Sequence, residues 1–195
     1  MMKFSELVLK NRSCRTFDES RKISREELEA LVALARIAPS AANRQPLKFF
    51  LSWDAGTNAK IQPLTGWGGS LPELRLPPEG HRPTAFIVIC VDRDITPNVQ
   101  AAGKDVGIAA QTIMLGAAEM GLAGCMLGSF KPETHDALGL PENLEISLVL
   151  GLGKGEENFE IVDAKDSVKY YRDEAGTHYV PKSTMDELIV NGGKA

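Results

Sequence analysis

Ala38-Pro39-Ser40-Ala41-Ala42-Asn43-Arg44-Gln45-Pro46-Leu47-Lys48-Phe49 joins an apolar helical run to an apolar, strand-like run. Its two prolines restrict the backbone and lower the cost of ordering it, while Ser40, Asn43 and Gln45 offer donors and acceptors. A loop of that composition suits a flat heterocycle with a polar edge. A plain helix-stop turn accounts for Pro39 but not for Asn43 and Gln45.

Upstream of this loop, Ser24-Arg25-Glu26-Glu27 fits a capping box, in which hydroxyl and carboxylate satisfy exposed backbone N–H groups. Leu28, Leu31, Val32 and Ala35 then form an apolar stripe that Pro39 ends. Phe4, Leu7 and Val8 recur at helical spacing and predict a short opening helix ending near Asn11. Downstream, residues 48–53 read as a strand and 58–64 as a small helix. Residues 65–83, rich in proline and glycine around Trp67, Leu71, Leu74 and Leu76, have no sustained period. A segment of this kind is an active-site lid or a surface excursion.

Ala85-Phe86-Ile87-Val88-Ile89-Cys90-Val91 is a continuous apolar run, the mark of a strand buried on both faces. Asp105 reads as the cap of a long helix to about Met120, with Val106, Ala109, Ala110, Ile113, Met114 and Ala117 on one side. Gly121 is its stop. Residues 124–128 are strand or loop, 131–138 a short helix and 146–152 a second buried strand. A last helix runs from 183 or 184 to 190. Strands alternating with helices argue for a sheet covered by helices.

At 195 residues, with 43% hydrophobic and 25% charged residues, the chain suits one ordinary domain over 1–195. Its net charge of −4 comes without a block of like charges, so a basic footprint for nucleic acid or anionic membrane is missing. The longest apolar run is too short to span a bilayer. Cys14, Cys90 and Cys125 are odd in number and form no CxxC, so they do not read as a disulfide framework. These features are those of a soluble cytoplasmic protein.

Two guanidiniums flank a hydroxyl in Arg12-Ser13-Cys14-Arg15, and arginine's planar fork suits phosphate oxygens or paired carbonyls. Cys14 has no histidine nearby in sequence and reads as a packing residue. Gly151-Leu152-Gly153-Lys154-Gly155 has its third glycine misplaced for a dinucleotide loop and reads as a strand-ending turn. His81, His135 and His178 are scattered, so no metal site is expected.

Taken together, these segments resemble the FMN-dependent nitroreductase family. Its members show an R-R-S-x-R run, an A-P-S-x-x-N-x-Q-P-W-x-F loop and a later D-x-G-x-A-x-Q-x-x-x-L-x-A-x-x-x-G-L-G stretch. The chain carries Arg12-Ser13-x-Arg15 and then Ala38-Pro39-Ser40-x-x-Asn43-x-Gln45-Pro46-x-x-Phe49. It continues with Asp105-x-Gly107-x-Ala109-x-Gln111-x-x-x-Leu115-x-Ala117-x-x-x-Gly121-Leu122 and Cys125-Met126-Leu127-Gly128. Tyr170-Tyr171-Arg172 through Tyr179-Val180-Pro181-Lys182 is similar to the family's C-terminal ending.

The resemblance implies an α+β fold arranged as an α/β/α sandwich, with a mostly antiparallel central sheet flanked by helices in an intertwined homodimer. Residues 170–195 would form a C-terminal extension contributing to the dimer and the phosphate site. FMN would be held by Arg12, Ser13 and Arg15, with Arg15 near the N1 and C2 edge and Arg12 and Lys182 at the phosphate and ribityl end. Pro39, Ser40, Asn43 and Gln45 would belong to the cofactor site, the loop reaching the flavin from the opposite subunit. Met126, Leu127 and Gly128 would line the ring. No catalytic side chain and no metal are implied, because the chemistry is at FMN N5. Electrons would come from NADH or NADPH and pass to nitroaromatics, quinones or related small molecules.

Relatives that dehalogenate reductively or fragment flavin mark a second reaction, and a slow flavin-binding redox module a third reading. Asn11 stands where many members have the first arginine, Leu47 where they have tryptophan, and Ser183 where a second basic residue is common.

Overall fold

The computed structural model describes residues 3–71 and 73–190, so Pro72 in the 65–83 segment and residues 191–195 of the expected C-terminal extension lie outside it. The sequence reads as one domain, whereas contacts divide the chain into two compact units. Of the described residues, one unit holds 3–67 together with Arg75–Glu156; the other holds those within 68–74 and 157–190. The 65–83 segment is therefore shared between them.

The first unit runs α1 (Phe4–Lys10), β1 (Phe17–Asp18), α2 (Arg25–Arg36), β2 (Leu47–Ser52), α3 (Ala55–Ile61), β3 (Ala85–Asp92), α4 (Gly103–Glu119), β4 (Ala123–Leu127), α5 (Thr134–Ala137) and β5 (Leu144–Gly155). The strands make one antiparallel sheet. β3 lies between β2 and β5, with Phe49 opposite Ile89 and Val88 opposite Val149. β4 and then β1 pair with β5, Cys125 opposite Gly151 and Phe17 opposite Gly155.

Every residue of β3 is buried. Strand side chains alternate, so Ala85, Ile87, Ile89 and Val91 meet Leu28 and Leu31 of α2 and Val106, Ala110 and Ile113 of α4. Phe86, Val88 and Cys90 face the opposite layer with Ile61, Cys125, Leu127, Trp67 and Phe130. Helices on both faces of an antiparallel sheet are the expected α+β sandwich.

Ser24 does cap α2. Its hydroxyl accepts from Glu27 N at 3.2 Å while Ser24 N donates to the Glu27 carboxylate at 2.9 Å. Three expectations need correction. Helix α4 begins at Gly103 behind Ala102, so Asp105 sits in its first turn with its carboxylate turned elsewhere. α5 and the last helix, α6 (Met185–Leu188), are each one short turn. Gly151–Gly155 is not a turn but the last part of β5. Its glycines are where aromatic rings press on the strand: a Cβ at Gly151 would lie 2.6 Å from the Trp67 ring, and one at Gly153 2.8 Å from Phe17.

The second unit contains a sheet the sequence does not predict: β6 (Phe159–Asp163), β7 (Tyr171–Arg172) and β8 (His178–Lys182), in the order β6-β8-β7. β6 runs parallel to β8, and β7 antiparallel to it. His178 is buried between the Phe159 and Tyr170 rings, at centroid distances of 5.5 and 5.2 Å, and accepts from Arg172 Nε at 3.4 Å.

Candidate functional site

Beyond α1 the chain runs extended alongside the start of β4. Ser13 bridges Gly124 in parallel register, and Cys14 N donates to Gly124 O at 2.9 Å. This backbone contact fixes two guanidiniums. Arg12 Nη2 donates to Val8 O at 2.5 Å, yet its Nε is buried with no hydrogen-bond partner. Burial lowers the Arg12 pKa, as it must for a cation withdrawn from water. Arg15 is 8% exposed and donates from Nη1 to Ser13 O at 3.2 Å.

The thiols of Cys14 and Cys125 lie in the same neighbourhood. Burial raises both, the Arg15 charge opposes the rise in each, and Ser13 hydrogen-bonds to Cys125. Cys14 is 1% exposed, which agrees with a packing role.

β4 presents alternate residues outward. Met126 is 37% exposed, and a Cβ on Gly128 would meet nothing within 4 Å, which leaves that edge open to a flat ligand. Leu127 departs from its expected role: its side chain is buried in the core beside Ile61 and Val149, so only its backbone reaches the edge.

The proline-bracketed loop is built on Asp105. That carboxylate accepts from Ser40 Oγ at 3.2 Å and Ala41 N at 3.0 Å, and Ser40 Oγ accepts in turn from Gln45 N at 3.0 Å. Gln45 Nε2 donates to Asn43 Oδ1 at 3.1 Å. Ala42, Asn43 and Gln45 have φ of 53°, 52° and 53°, each costing about 1–2 kcal/mol in an L residue. Residues 41–45 are all exposed. A strained, pinned and exposed loop is a structure kept for contact with something else. The sequence marks Asp105 as a helix cap, whereas the structure makes it the loop's anchor. A cavity of about 310 Å³ beside the loop is lined by Pro39, Ser40, Gln45, Lys48, Phe49 and Asp105.

Within one chain the two walls are held at opposite ends of α4. Asp105 anchors the loop in the first turn, while the Arg12–Arg15 segment meets the strand that follows the helix's other end. Fourteen residues of helix separate these ends by about 20 Å. Lys182 belongs to the second unit, exposed on β8 opposite Asp163. Among the described residues no cluster of histidine, cysteine and carboxylate side chains suits a metal ion.

An orphaned buried Arg12 Nε and a nearly buried Arg15, set beside an open strand edge, fit a ligand with an anionic group and a flat ring. FMN has both, so the residues present fit that group.

The nitroreductase family model matches residues 8–67 and 82–154, well over half of the chain. The chain is 28% identical over 171 residues to the NADPH-flavin oxidoreductase of Vibrio harveyi, covering 80% of this chain and 67% of that protein. A crystal structure of a nitroreductase family protein from Clostridium difficile superposes with a TM-score of 0.69 at 24% identity, over 99% of this chain and 100% of that one. A structure from Exiguobacterium sibiricum, solved in complex with FMN, gives a TM-score of 0.63 at 22% identity, over 80% of this chain and 89% of that one. These two likenesses speak for the fold, and the family match for the lineage. The chain belongs to the nitroreductase family.

Proposed function

We propose that this protein is an FMN-dependent oxidoreductase that passes electrons from NADH or NADPH to nitroaromatics, quinones or related small molecules, and that it works as a homodimer. The observation that carries the reading is the pair of desolvated guanidiniums, Arg12 and Arg15, fixed by the Ser13–Gly124 bridge beside the open edge of β4. Bound FMN supplies the two-electron redox chemistry, for which the protein provides orientation and charge.

Arg12 holds the phosphate end, where its unpartnered Nε gains an acceptor. Arg15 and Ser13 hold the polar edge of the ring, where a fixed positive charge favours the negative charge that reduction adds. Met126, Gly128 and the Leu127 backbone line the ring. No side chain is assigned as general acid, and solvent supplies protons.

Pro39, Ser40, Asn43 and Gln45 come from a second copy. The stretch of α4 between the loop's anchor and the strand that the arginine segment meets, about 20 Å long, supports this. So does the exposed face of α4, where Gly103, Lys104, Gly107, Ile108 and Gln111 stand in solvent and a Cβ at Gly103 or Gly107 would meet nothing within 4 Å. A smooth helix face of this kind lets another helix approach closely. No helix among the described residues is long and apolar enough to cross a membrane, which suits a cytoplasmic enzyme.

Steady-state oxidation of NADH and NADPH with nitroaromatic, quinone and halogenated acceptors tests the reading. Turnover with nitro or quinone acceptors that depends on added FMN supports it. Turnover confined to halogenated acceptors, or none with either nicotinamide, overturns it.

A further inference from the structure

We infer that Cys14 and Cys125 form an oxidation site, a cross-strand dithiol that closes to a disulfide under a small two-electron oxidant such as hydrogen peroxide. The register is the first ground. Ser13 pairs with Gly124 in parallel, which sets Cys14 beside Cys125 on the neighbouring strand. Neighbouring strands lie about 4.8 Å apart. Disulfides span Cα separations of roughly 4.4–6.8 Å, so the backbones already stand at bonding distance.

The side chains also share a face. Alternation along β4 places Ala123 and Cys125 on the same side of the sheet. A Cβ at Gly155 would lie 2.8 Å from Ala123 Cβ and 3.0 Å from Cys14 Sγ, which puts the Cys14 sulfur on that side too. Gly155 has no side chain, and the space so left holds the sulfur. Each thiol is within electrostatic reach of Arg15, and Cys14 of Cys125. Cys90, the remaining cysteine, lies on β3, opposite Ile146 of β5 and Lys48 of β2.

In the first step the thiolate of either cysteine attacks a peroxide oxygen. The O–O bond breaks, leaving a sulfenic acid and, after protonation, one water. The second sulfur then attacks the first, the S–S bond forms, and the sulfenic oxygen leaves as a second water. Two thiols and one peroxide thus yield one disulfide and two waters, each sulfur giving one electron. The link ties the segment that carries Arg15 to the strand that carries Met126 and Gly128. Its meaning for flavin binding rests on the function proposed above, whereas its formation does not.

The test is a peptide map of the intact wild-type protein after peroxide, with remaining thiols alkylated in denaturant and no reductant added. The expected product is the tryptic peptide Ser13–Arg15 joined to the peptide carrying Cys125, lighter by two hydrogens than the two together, with Cys90 alkylated. The Cys125→Ser protein treated alike yields no joined peptide, and the Cys90→Ala protein yields the same one. A link that includes Cys90, separate sulfinic acids on Cys14 and Cys125, or three intact thiols overturns the inference. None of these readouts requires FMN, so failure here is distinguishable from failure of the proposed function.

Discussion

The Asp105 carboxylate accepts a hydrogen bond from Ser40 Oγ at 3.2 Å across 65 positions of sequence, and so ties the first turn of α4 to the loop that precedes β2. The same carboxylate takes Ala41 N at 3.0 Å, and Ser40 passes the restraint on to Gln45 N. Hydrogen bonds to a charged group contribute about 1.5–3 kcal/mol each. Asp105→Ala is therefore expected to weaken FMN binding by about tenfold or more while leaving a folded protein. Fluorescence titration of FMN against variant and wild type measures this, and unchanged affinity would separate the anchor from the cofactor.

The loop's backbone strain gives a prediction of opposite sign. Ala42 holds φ 53° and ψ 25°, a conformation that glycine adopts without a Cβ penalty. Ala42→Gly should raise stability by up to about 1 kcal/mol, the relief of strain exceeding the entropy that glycine adds to the unfolded chain. Urea unfolding decides it, and destabilisation would mean that the methyl group makes a contact the strain is kept for.

Arg12 has a buried Nε without a partner, so its removal costs the free protein little and the complex much. Arg12→Ala should lower FMN affinity by about 10–100-fold with a nearly unchanged melting temperature. Arg12→Lys should recover only part, because an ammonium keeps the charge but not the fork. Full recovery with lysine would assign the residue a purely electrostatic role.

Gly124 admits no side chain. A Cβ there would come 2.6 Å from Gly151 O and 2.7 Å from Leu152 Cδ2, and a backbone oxygen in a paired strand cannot step aside. Gly124→Ala should destabilise the fold by about 1–3 kcal/mol. The same urea transition measures it.

Alkaline pH acts through the buried thiols. Burial pushes Cys90 from the ordinary 9.0 up to about 11. Unfolded, that thiol ionises near 9.0, while folded it stays protonated. The stability it contributes is complete below pH 9 and is lost as pH rises toward about 11. Cys14 and Cys125 shift the same way. Melting temperatures on either side of this window should fall less for Cys90→Ala than for wild type, and an equal fall would remove Cys90 from the cause.

The parts legible in sequence were those governed by local rules. The Ser24–Glu27 box, the apolar run of β3 and the Gly121 helix stop, with φ 76°, all follow from near neighbours. Asp105 was misread because a carboxylate at a helix start serves a cap or a distant loop equally well, and only the fold brings Ser40 to it. β6 and β8 were illegible because Glu160, Asp163 and Lys182 interrupt short, half-exposed strands whose pairing spans long sequence separations. Leu127 looked like its neighbours Met126 and Gly128 until the pairing of β4 with β5 decided which of them faces the core.

The measurement that reaches furthest is the visible absorption of the purified protein after equilibration with FMN, followed anaerobically as NADH and then NADPH is added. The expected result is a yellow protein that keeps FMN through gel filtration and loses its visible flavin band with at least one of the two donors. A protein that stays colourless, or one that holds FMN unchanged in excess of both nicotinamides, would contradict it.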